Sequence, residues 1–385
     1  MSMQAKDVLV VSPGDDVHAV AVRARIQDIY GDSVSCHIFD VATYPLSSSV
    51  DVRLEGETSY PTLRIAPPLA QTLGSGTGQL LVNRPRSLVE KMVILGPETA
   101  VWWRRYRRPI LHPHVTEIEF REFCHQALKS VLLGALNFCR VYNPIQVEEE
   151  ANHKLGQLVL ARLCGLHVPR TLISDDGSRI QTFVASLQRI GKRVIYKHVT
   201  PVRGFGMGTR IVDEEAGSRF DALKYAPTIF QEEIAGGLDL RIAVVGSRVF
   251  CCEWRGALPD RRFVDIRLEE GQRMYPGRLP RALEDPLLDL HTRLGLTFGI
   301  YDFKLDSSGR PYFLEVNPSG QWLDMEVEGQ QPISTALAHL LVEGRGAEAS
   351  THGEPYSATD LKRMKDGFHH EIPSAWKPVL NVGAQ

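Results

Sequence analysis

A segment near the C-terminal end of the chain combines two carboxylates and a carboxamide in a predicted β-hairpin. It reads YDFKLDSSGRPYFLEVNPSGQW and covers residues 301–322, with a Gly-containing turn between two alternating strands. Because side chains alternate along a strand, Asp302, Glu315 and Asn317 are expected on one face. Facing carboxylates repel unless a cation lies between them, and such oxygen ligands suit Mg²⁺. The hairpin therefore predicts a magnesium site; the alternative is a solvated polar face neutralised by Lys304.

The expected register of this hairpin places Leu305 opposite Tyr312 and Phe303 opposite Leu314. The same register sets the two acids directly opposite each other across the ladder. The other face of the hairpin is then apolar, and it is predicted to contain Tyr301, Phe303, Leu305, Tyr312, Leu314 and Val316.

A glycine-rich stretch, VIYKHVTPVRGFGMGTRIV, covers residues 194–212 and reads as strand, loop and strand. Glycines let backbone N–H groups approach phosphates closely, and the candidates here are Gly204, Gly206 and Gly208. The stretch has no GK[ST] sequence and no following helix, so neither a P-loop nor a dinucleotide fingerprint is present. Lys197 on the first strand can reach a phosphate as a point charge. A plain flexible hairpin is the alternative.

The next stretch, TIFQEEIAGGLDLRIAVVGSRVFCCEW (residues 228–254), predicts three strands with candidate ligand contacts near their ends. Gln231 and Glu232 lie near a strand end and can contact the edge of an adenine. Asp239 can accept hydrogen bonds from ribose hydroxyls, and Arg241 can hold phosphate charge. A surface hairpin with ordinary charges is the alternative for each residue taken alone.

The elements that must position these residues follow an N-terminal α/β pattern. DVLVVS (residues 7–12) is typical of a buried strand, residues 18–31 have helical spacing with a Gly stop, and residues 33–40 alternate like a strand. Short strands are predicted over residues 50–93. This β-α-β opening indicates a small α/β domain.

Two predicted helices connect this domain to the ligand-contacting region. VWWRRYRRP ends the first region as a strand that runs into a basic loop, and a long amphipathic helix covers residues 117–138. A turn and one further helix follow within residues 141–171, and the main boundary is expected near Tyr142. The polar tail, residues 343–385, is expected to be partly disordered, with one short helix near Asp360.

Composition excludes several classes of function. The 385-residue chain has a net charge of −2, with 43% apolar and 23% charged residues, so no general affinity for nucleic acid or anionic membranes is expected. No apolar run has transmembrane length, and the N-terminus predicts a strand rather than a signal peptide. None of the six cysteines forms a CxxC pair, which favours buried thiols and a reducing cytoplasm.

Taken in order, these motifs resemble the ATP-grasp fold, in which two α+β subdomains clamp ATP. The order is Lys154 in a helix, Lys197 before the glycine-rich loop, QEEI, DLR, and the closing DF…FLEVNPSGQW, which is specific for that superfamily. The resemblance covers roughly residues 141–341. It implies an N-terminal α/β, pre-ATP-grasp-like domain over residues 1–141 and a two-subdomain ATP-grasp domain over residues 142–342.

A closer resemblance is to the ATP-grasp ligases that mature ribosomal peptides, the microviridin or graspetide macrocyclases. The segments that carry it are NHKLGQLVLARLCGLHVPRTLIS, FQEEIAGGLDLRIAVVGSRVF, DIR and EVNPSGQW, and VWWRRYRRP resembles the aromatic-Arg-Arg-Pro segment that ends their N-terminal domain. The sequence departs from the family pattern at Glu233, where an aromatic or aliphatic residue is usual. The resemblance makes a homodimer a reasonable expectation.

Site roles are implied residue by residue. Lys154 and Lys197 would contact the nucleotide phosphates, and Asp239 would bind ribose. Arg241 would steady the transferred phosphoryl group and the acyl phosphate. The adenine hinge, acting mostly through its backbone, would be Glu232, Glu233 and Ile234. The ligands of Mg²⁺ would be Asp302, Glu315 and Asn317. The residues that would contact peptide or phosphate are Asp265 and Arg267.

The implied enzyme is an ADP-forming ligase that uses ATP and Mg²⁺ to make side-chain ester or amide crosslinks in a ribosomally made precursor peptide. The substrate carboxylate would be activated as an acyl phosphate. Two alternatives stay open: a ligase that joins an amino acid or small amine to a free carboxylate, and a non-catalytic ATP-binding regulator. Arg241 and the set of metal ligands argue against the regulator.

Overall fold

The computed structural model describes residues 4–46, 48–53, 60–65, 91–200, 209–213, 220–236, 238–255, 273–344 and 354–371. Its contacts divide the chain into two compact units. The first unit contains Met1–Ile145 and Ser334–Gln385, and the second contains Gln146–Ile333.

The elements of the described residues are numbered in chain order. The helices are α1 (Val17–Tyr30), α2 (Ile118–Leu136), α3 (Ile145–Ala151), α4 (Lys154–Leu163), α5 (Gly177–Gln188), α6 (Arg281–Arg293), α7 (Leu323–Val327), α8 (Ile333–Glu343) and α9 (Ala358–Glu371). The strands are β1 (Asp7–Val11), β2 (Ser35–Phe39), β3 (Ser49–Asp51), β4 (Thr62–Ile65), β5 (Lys91–Ile94), β6 (Thr99–Trp103), β7 (Arg140–Tyr142), β8 (Thr171–Ser174), β9 (Val194–His198), β10 (Arg210–Ile211), β11 (Thr228–Glu232), β12 (Asp239–Val245), β13 (Arg248–Arg255), β14 (Arg273–Pro276), β15 (Phe298–Leu305) and β16 (Pro311–Asn317).

The first unit is built on a parallel sheet of order β2-β1-β6-β7, beside which β3, β4 and β5 form a small antiparallel sheet. The predicted β-α-β opening is confirmed. Asp16 starts α1 by accepting a hydrogen bond from the His18 N–H (3.0 Å), as an N-cap residue does. Gly31 ends the helix with φ 55°, a conformation that favours glycine.

The C-terminal residues of the first unit pack against α1. Tyr356 is buried, donates a hydrogen bond to the Ala21 carbonyl (3.1 Å) and stacks under the Arg25 guanidinium at 4.0 Å. The short helix predicted near Asp360 is α9. No helix of the described residues is long and apolar enough to cross a membrane.

The second unit contains two antiparallel sheets. The smaller one has the order β10-β9-β11-β8 and packs its aromatic face against α5, with a core that contains Val184, Phe220 and Phe230. The larger one has the order β14-β13-β12-β15-β16, and its apolar face packs against α4 and α6. Burying one large apolar side chain such as Phe in this core contributes about 1.5–3 kcal/mol. The buried apolar face therefore fixes the strands of the sheet, and the polar residues lie on the opposite face of the same strands.

The predicted single helix within residues 141–171 is wrong in one respect. The chain forms β7 first and then two helices, α3 and α4, separated at Asn152 and His153. His153 adopts an extended conformation (φ −74°, ψ 101°) and serves as the N-cap of α4, whose first residue is Lys154. The break matters because it starts a new helix at the lysine that was predicted to contact phosphate.

Candidate active site

One face of the large sheet collects the charged residues that the sequence indicated. Strand register pairs Arg241 with Asp302 and Asp239 with Lys304 between β12 and β15, and Asp302 with Glu315 between β15 and β16. Paired residues point to the same face, and so do residues two apart on one strand. Three neighbouring strands therefore present five charged side chains side by side.

A β-bulge brings the two acids opposite each other. From the turn upward the register is Leu305 with Pro311, Lys304 with Tyr312 and Phe303 with Phe313, and it shifts by one residue between Phe303 and Asp302. An extra residue in one strand is what a bulge inserts. Without it, Leu314 would face Asp302 in place of Glu315.

The predicted pairing of Asp302 with Glu315 is therefore confirmed, whereas the predicted pairs of Leu305 with Tyr312 and Phe303 with Leu314 are wrong. The predicted apolar face changes with them. Phe313 is fully buried in the core beside Phe303, while Leu314 is only half-buried. Regular alternation along the sequence could not predict this bulge, because its position depends on the balance between core packing and strand pairing.

Arg241 is held in place from two sides. Its Nη1 donates to Asp302 Oδ1 at 2.8 Å, and its Nη2 donates to the backbone carbonyl of Gln321, also at 2.8 Å. The two side chains of the pair are 10% and 20% exposed, so one edge of the pair faces solvent. A guanidinium fixed in this way is oriented before any ligand binds.

Two lysines complete the charge pattern on this face. Lys154 Nζ lies 2.8 Å from Glu315 Oε2, and Lys304 Nζ lies 2.9 and 2.8 Å from the two carboxylate oxygens of Asp239. Each predicted anion on the face is thus paired with a cation of the chain. Lys304 neutralises Asp239, not the Asp302 and Glu315 pair that the alternative interpretation of the hairpin assigned to it.

Asn317 stands at the end of β16, where a tight turn begins. Its Oδ1 accepts a hydrogen bond from the Ser319 N–H (3.0 Å), and Ser319 Oγ donates to Glu148 Oε1 (2.7 Å). Gly320 follows, and a Cβ there would lie 2.6 Å from the Ile300 Cβ. The glycine is required because the turn lies directly on β15.

The donor set suits a hard divalent cation. Two carboxylates and a carboxamide oxygen are the ligands that Mg²⁺ takes from proteins when nucleotide phosphates supply the rest. Within the part of the chain that the structure describes, no three His, Cys, Asp or Glu side chains cluster as a metal site. The chemistry of Asp302, Glu315 and Asn317 therefore fits a cation shared with phosphates better than an all-protein metal cage.

The small sheet carries the residues predicted to contact the nucleotide base and phosphates. Lys197 pairs with Ile229, and Gln231 pairs with Ile195, so Lys197 and Gln231 share one face of the sheet. Tyr196 lies on the other face, in the aromatic core. Gln231 is buried and donates from Nε2 to Thr171 Oγ1 at 2.9 Å.

The predicted adenine hinge begins where β11 ends. The Glu232 N–H donates to the Arg170 carbonyl (2.8 Å) and the Glu233 N–H to the Arg193 carbonyl (3.0 Å). The carboxylate of Glu233, the departure from the family pattern, pairs with the Arg193 guanidinium at 2.6 Å. Ile234 is buried. Both hinge carboxylates are thus engaged by neighbouring cations, since Glu232 Oε1 also lies 3.1 Å from the Lys192 ammonium.

Several predicted site residues lie outside the described residues. They are Gly204, Gly206, Gly208, Asp265 and Arg267. Their assignments stay predictions.

The thiol closest to the charged face is not a nucleophile. Cys252 pairs with Arg241 between β13 and β12 and is fully buried. Burial raises the pKa of the Cys252 thiol to about 12, which keeps it protonated at neutral pH. The chemistry of the site is therefore that of charge and position, without a covalent nucleophile from this cysteine.

Sequence reasoning missed two residues that the structure places next to the candidate ligands. Lys304 was noticed on the same face as Asp302, but as the partner of the wrong acids. The two missed residues, Glu148 and Gln157, carry no local signal. They lie on α3 and α4, more than 150 residues before their partners, which are Ser319 in the turn after β16 and Val316 near the end of β16.

Comparison with known proteins agrees with the motifs. No protein-family model matches the chain, and no curated protein matches it either. Among solved structures, the macrocyclase MdnC from Microcystis aeruginosa, crystallised with its precursor peptide MdnA, is 25% identical with a TM-score of 0.71, over 87% of this chain and 98% of MdnC. MdnB from the same organism, also a macrocyclase, is 25% identical with a TM-score of 0.64 over the same shares.

A third structure shares the fold at lower identity. It is an ATP-grasp ligase associated with ribosomally made, modified peptides in Chryseobacterium gregarium, solved with ADP and a leader and core peptide. It is 21% identical, with a TM-score of 0.70 over 88% of this chain and 96% of that one. The resemblance that the motifs indicated is confirmed: the chain has the ATP-grasp fold, and its similarity is to the ATP-grasp ligases that mature ribosomal peptides.

Proposed function

We propose that this protein is an ADP-forming ligase that crosslinks side chains of a ribosomally made precursor peptide. The observation that carries the proposal is the charged face of the large sheet, where Arg241 and Lys154 are held beside the paired acids Asp302 and Glu315. That arrangement suits transfer of a phosphoryl group, which depends mainly on positioning and charge stabilisation. The similarity to MdnC supports a peptide as the substrate.

The first step activates a carboxylate. An oxygen of a substrate Asp or Glu attacks the γ-phosphorus of ATP, the bond to the β-phosphate oxygen breaks, and ADP leaves. Arg241, oriented by the Gln321 carbonyl, stabilises the charge on the transferred group. Lys154 and Lys197 bind phosphate oxygens, and the glycines of residues 204–208 contribute backbone N–H groups.

The second step forms the crosslink. A hydroxyl or amine of the same peptide attacks the acyl carbon, loses its proton, and displaces inorganic phosphate. The product is an ester or an amide, and the peptide has lost one water overall. Arg241 stays beside the leaving phosphate and stabilises its charge.

Magnesium would be held by Asp302, Glu315 and Asn317, and when bound it neutralises phosphate charge. Before a metal binds, Lys154 holds Glu315 and Arg241 holds Asp302. With Mg²⁺ bound, the two carboxylates would ligate the metal instead, and both basic groups would be available to the phosphates. The paired state keeps the acids from repelling each other before ligand arrives.

The nucleotide base would lie against the small sheet, where Gln231 and the backbone of Glu232, Glu233 and Ile234 form the hinge. Asp239, fixed by Lys304, would accept from the ribose hydroxyls. Asp265 and Arg267 would contact peptide or phosphate. The ATP-grasp domain that carries the reaction would span residues 142–342.

The cellular setting is part of the same proposal. All six cysteines are free thiols, and burial raises the pKa of Cys36, Cys139, Cys251 and Cys252 to about 12. Cysteines without disulfides favour the reducing cytoplasm. A homodimer is the assembly we expect, and light scattering tests it.

The test is the intact mass of a short peptide encoded beside the gene, after co-expression with this protein. The best candidate peptide carries clusters of Thr, Ser or Lys together with Asp or Glu. Loss of one water mass for each new bond is the expected result. A matched control is co-expression with Glu315→Ala, which should leave the peptide unmodified.

Other outcomes would overturn the proposal. A gain equal to an added residue would indicate ligation of an amino acid to a free carboxylate. The peptide mass could also stay unchanged while the protein releases ADP only when an amino acid or small amine is supplied. That result would likewise indicate a ligase for amino acids or small amines. A chain that binds ATP and releases no ADP with any acceptor would be a regulator.

A further inference from the structure

The last strand of the large sheet is completed by a side chain. Among the described residues β16 is the last strand of the sheet, so one row of its backbone groups has no neighbouring strand there. The carboxamide of Gln157 on α4 takes that place at one residue. Its Oε1 accepts from the Val316 N–H (3.1 Å), and its Nε2 donates to the Val316 carbonyl (2.8 Å).

This contact is fully internal. Gln157 is 2% exposed, and its Nε2 makes a further hydrogen bond to the Ala151 carbonyl at 2.6 Å. A buried carboxamide needs such partners, because an unpaired polar group in the core is costly. One side chain therefore joins the end of α3, the first turn of α4 and the edge of β16.

The residue that Gln157 holds lies between two candidate metal ligands. Val316 separates Glu315 from Asn317, and its own side chain points into the core. Fixing both backbone groups of Val316 limits the movement of its neighbours on the opposite face. Lys154, three residues before Gln157 on the same face of α4, then meets Glu315 at 2.8 Å.

We propose that Gln157 is a positioning residue that sets the orientation of Glu315 and Asn317 for Mg²⁺ and the distance from Lys154 to Glu315. It does so by pairing with the Val316 backbone as a neighbouring strand would. This inference rests on the proposed function, since it names how the same site is positioned. The side chain of Gln157 makes its hydrogen bonds to backbone groups and not to the side chains of the metal ligands.

The test measures binding, not turnover. Calorimetry of the full chain with ADP is repeated over a range of Mg²⁺ concentrations, with melting temperature recorded beside it. Gln157→Met keeps the length of the side chain and removes all three hydrogen bonds. We expect the Mg²⁺ concentration for half-maximal ADP binding to rise by about 10- to 100-fold, as for other residues that orient metal ligands.

Two control variants separate positioning from stability. Gln157→Glu, as a neutral buried acid, keeps an acceptor for the Val316 N–H and a donor for its carbonyl, and it loses only the bond to Ala151. It should melt at a lower temperature with nearly unchanged Mg²⁺ dependence. Leu287→Ala opens a cavity in the core under α6, so it should lower the melting temperature without changing the Mg²⁺ dependence.

The outcomes are distinct. An unchanged Mg²⁺ dependence in folded Gln157→Met, or the same shift in Leu287→Ala, would overturn the inference. If Gln157→Met does not fold, Gln157→Asn replaces it, since the shorter amide cannot reach Val316, and a wild-type Mg²⁺ dependence there would overturn it as well. A wild-type chain that binds no ADP with Mg²⁺ would overturn the proposed function and the inference together.

Discussion

Two Arg–Asp pairs of the protein, one in each unit, differ in their surroundings. In the first unit, Arg104 Nε lies 3.0 Å from Asp16 Oδ2, and the two side chains are 0% and 3% exposed. In the second unit, Arg241 and Asp302 are as close, at 2.8 Å, but are 10% and 20% exposed. The distances are nearly equal, so access to water separates the pairs.

The partners of each pair reinforce this difference. Asp16 also caps α1 and accepts from Ser12 Oγ (2.8 Å), while the Arg104 guanidinium lies 5.3 Å from the ring of Trp102. All of these contacts are with the chain itself and are enclosed by the parallel sheet and α1. Asp302 instead shares an open face with another acid, so its cation can be exchanged for a ligand. One pair is suited to structure and the other to binding.

The largest effect is expected from removing a candidate metal ligand on the charged face of the large sheet. Glu315→Ala removes one of the two facing carboxylates, and ATP turnover should fall by at least about a thousandfold, or about 4 kcal/mol in the barrier. The fold should stay intact, because Glu315 is partly exposed and lies outside the core. ADP release and circular dichroism check both statements. An active Glu315→Ala protein would contradict the metal assignment.

A comparable effect, but on stability, is expected from the enclosed pair. Arg104→Met leaves Asp16 as a buried charge without its cation, and the free energy of unfolding should fall by about 3–5 kcal/mol. Denaturant unfolding measures it. The double variant Arg104→Met/Asp16→Leu should recover part of the loss, since it removes the buried charge. A loss below about 1 kcal/mol would mean that enclosure does not distinguish the two pairs.

A smaller effect with the opposite pattern is expected from Arg241→Ala. The turnover number should fall by about 10²- to 10³-fold, as when one oriented charge-stabilising donor is removed. The free energy of unfolding should fall by less than in Arg104→Met, because Asp302 is 20% exposed and water can partly solvate its charge once Arg241 is removed. Mg²⁺ should bind as well as or better than in the wild type, since Asp302 no longer has a competing cation. Weaker Mg²⁺ binding, measured by calorimetry with ADP, would contradict the exchange.

The smallest effect is expected at the hinge. Arg193→Ala breaks the ion pair with Glu233. The Arg193 side chain is 61% exposed in this pair. Exposed pairs contribute about 0–1 kcal/mol, and the hinge is proposed to act through its backbone. The KM for ATP and the melting temperature should therefore stay close to wild type. A KM raised by tenfold or more would show that the Glu233 carboxylate takes part in nucleotide binding.

Much of this organisation follows from local patterns in the sequence. The β-α-β opening, the long helix α2 and the facing of Asp302 and Glu315 were all predicted from alternation, helical spacing and cap residues. These signals depend only on residues that are close together in the chain, so a single sequence is enough to identify them. The ordered motifs also predicted the ATP-grasp fold.

The errors have a common cause. A single helix was predicted where α3 and α4 are separated at Asn152 and His153, and a uniform register was predicted where a bulge lies at Leu314, between the Phe303–Phe313 and Asp302–Glu315 pairs. Apolar spacing continues across the helix break, and alternation continues across the bulge. Neither sequence pattern contains the difference in packing free energy between Phe313 and Leu314 in the core, and that difference decides where the bulge lies.

The sequence by itself determined which chemistry is available: oxygen ligands for a hard cation, basic residues for phosphates, and no transmembrane run. Only the tertiary structure decided which charges meet. Lys154 meets Glu315 across 161 residues, Arg241 meets Asp302 across 61, and Gln157 meets Val316 across 159. Such pairings are chosen by burial of the apolar faces behind them, because hydrophobic packing fixes the strands and helices and the polar groups then pair where they are placed.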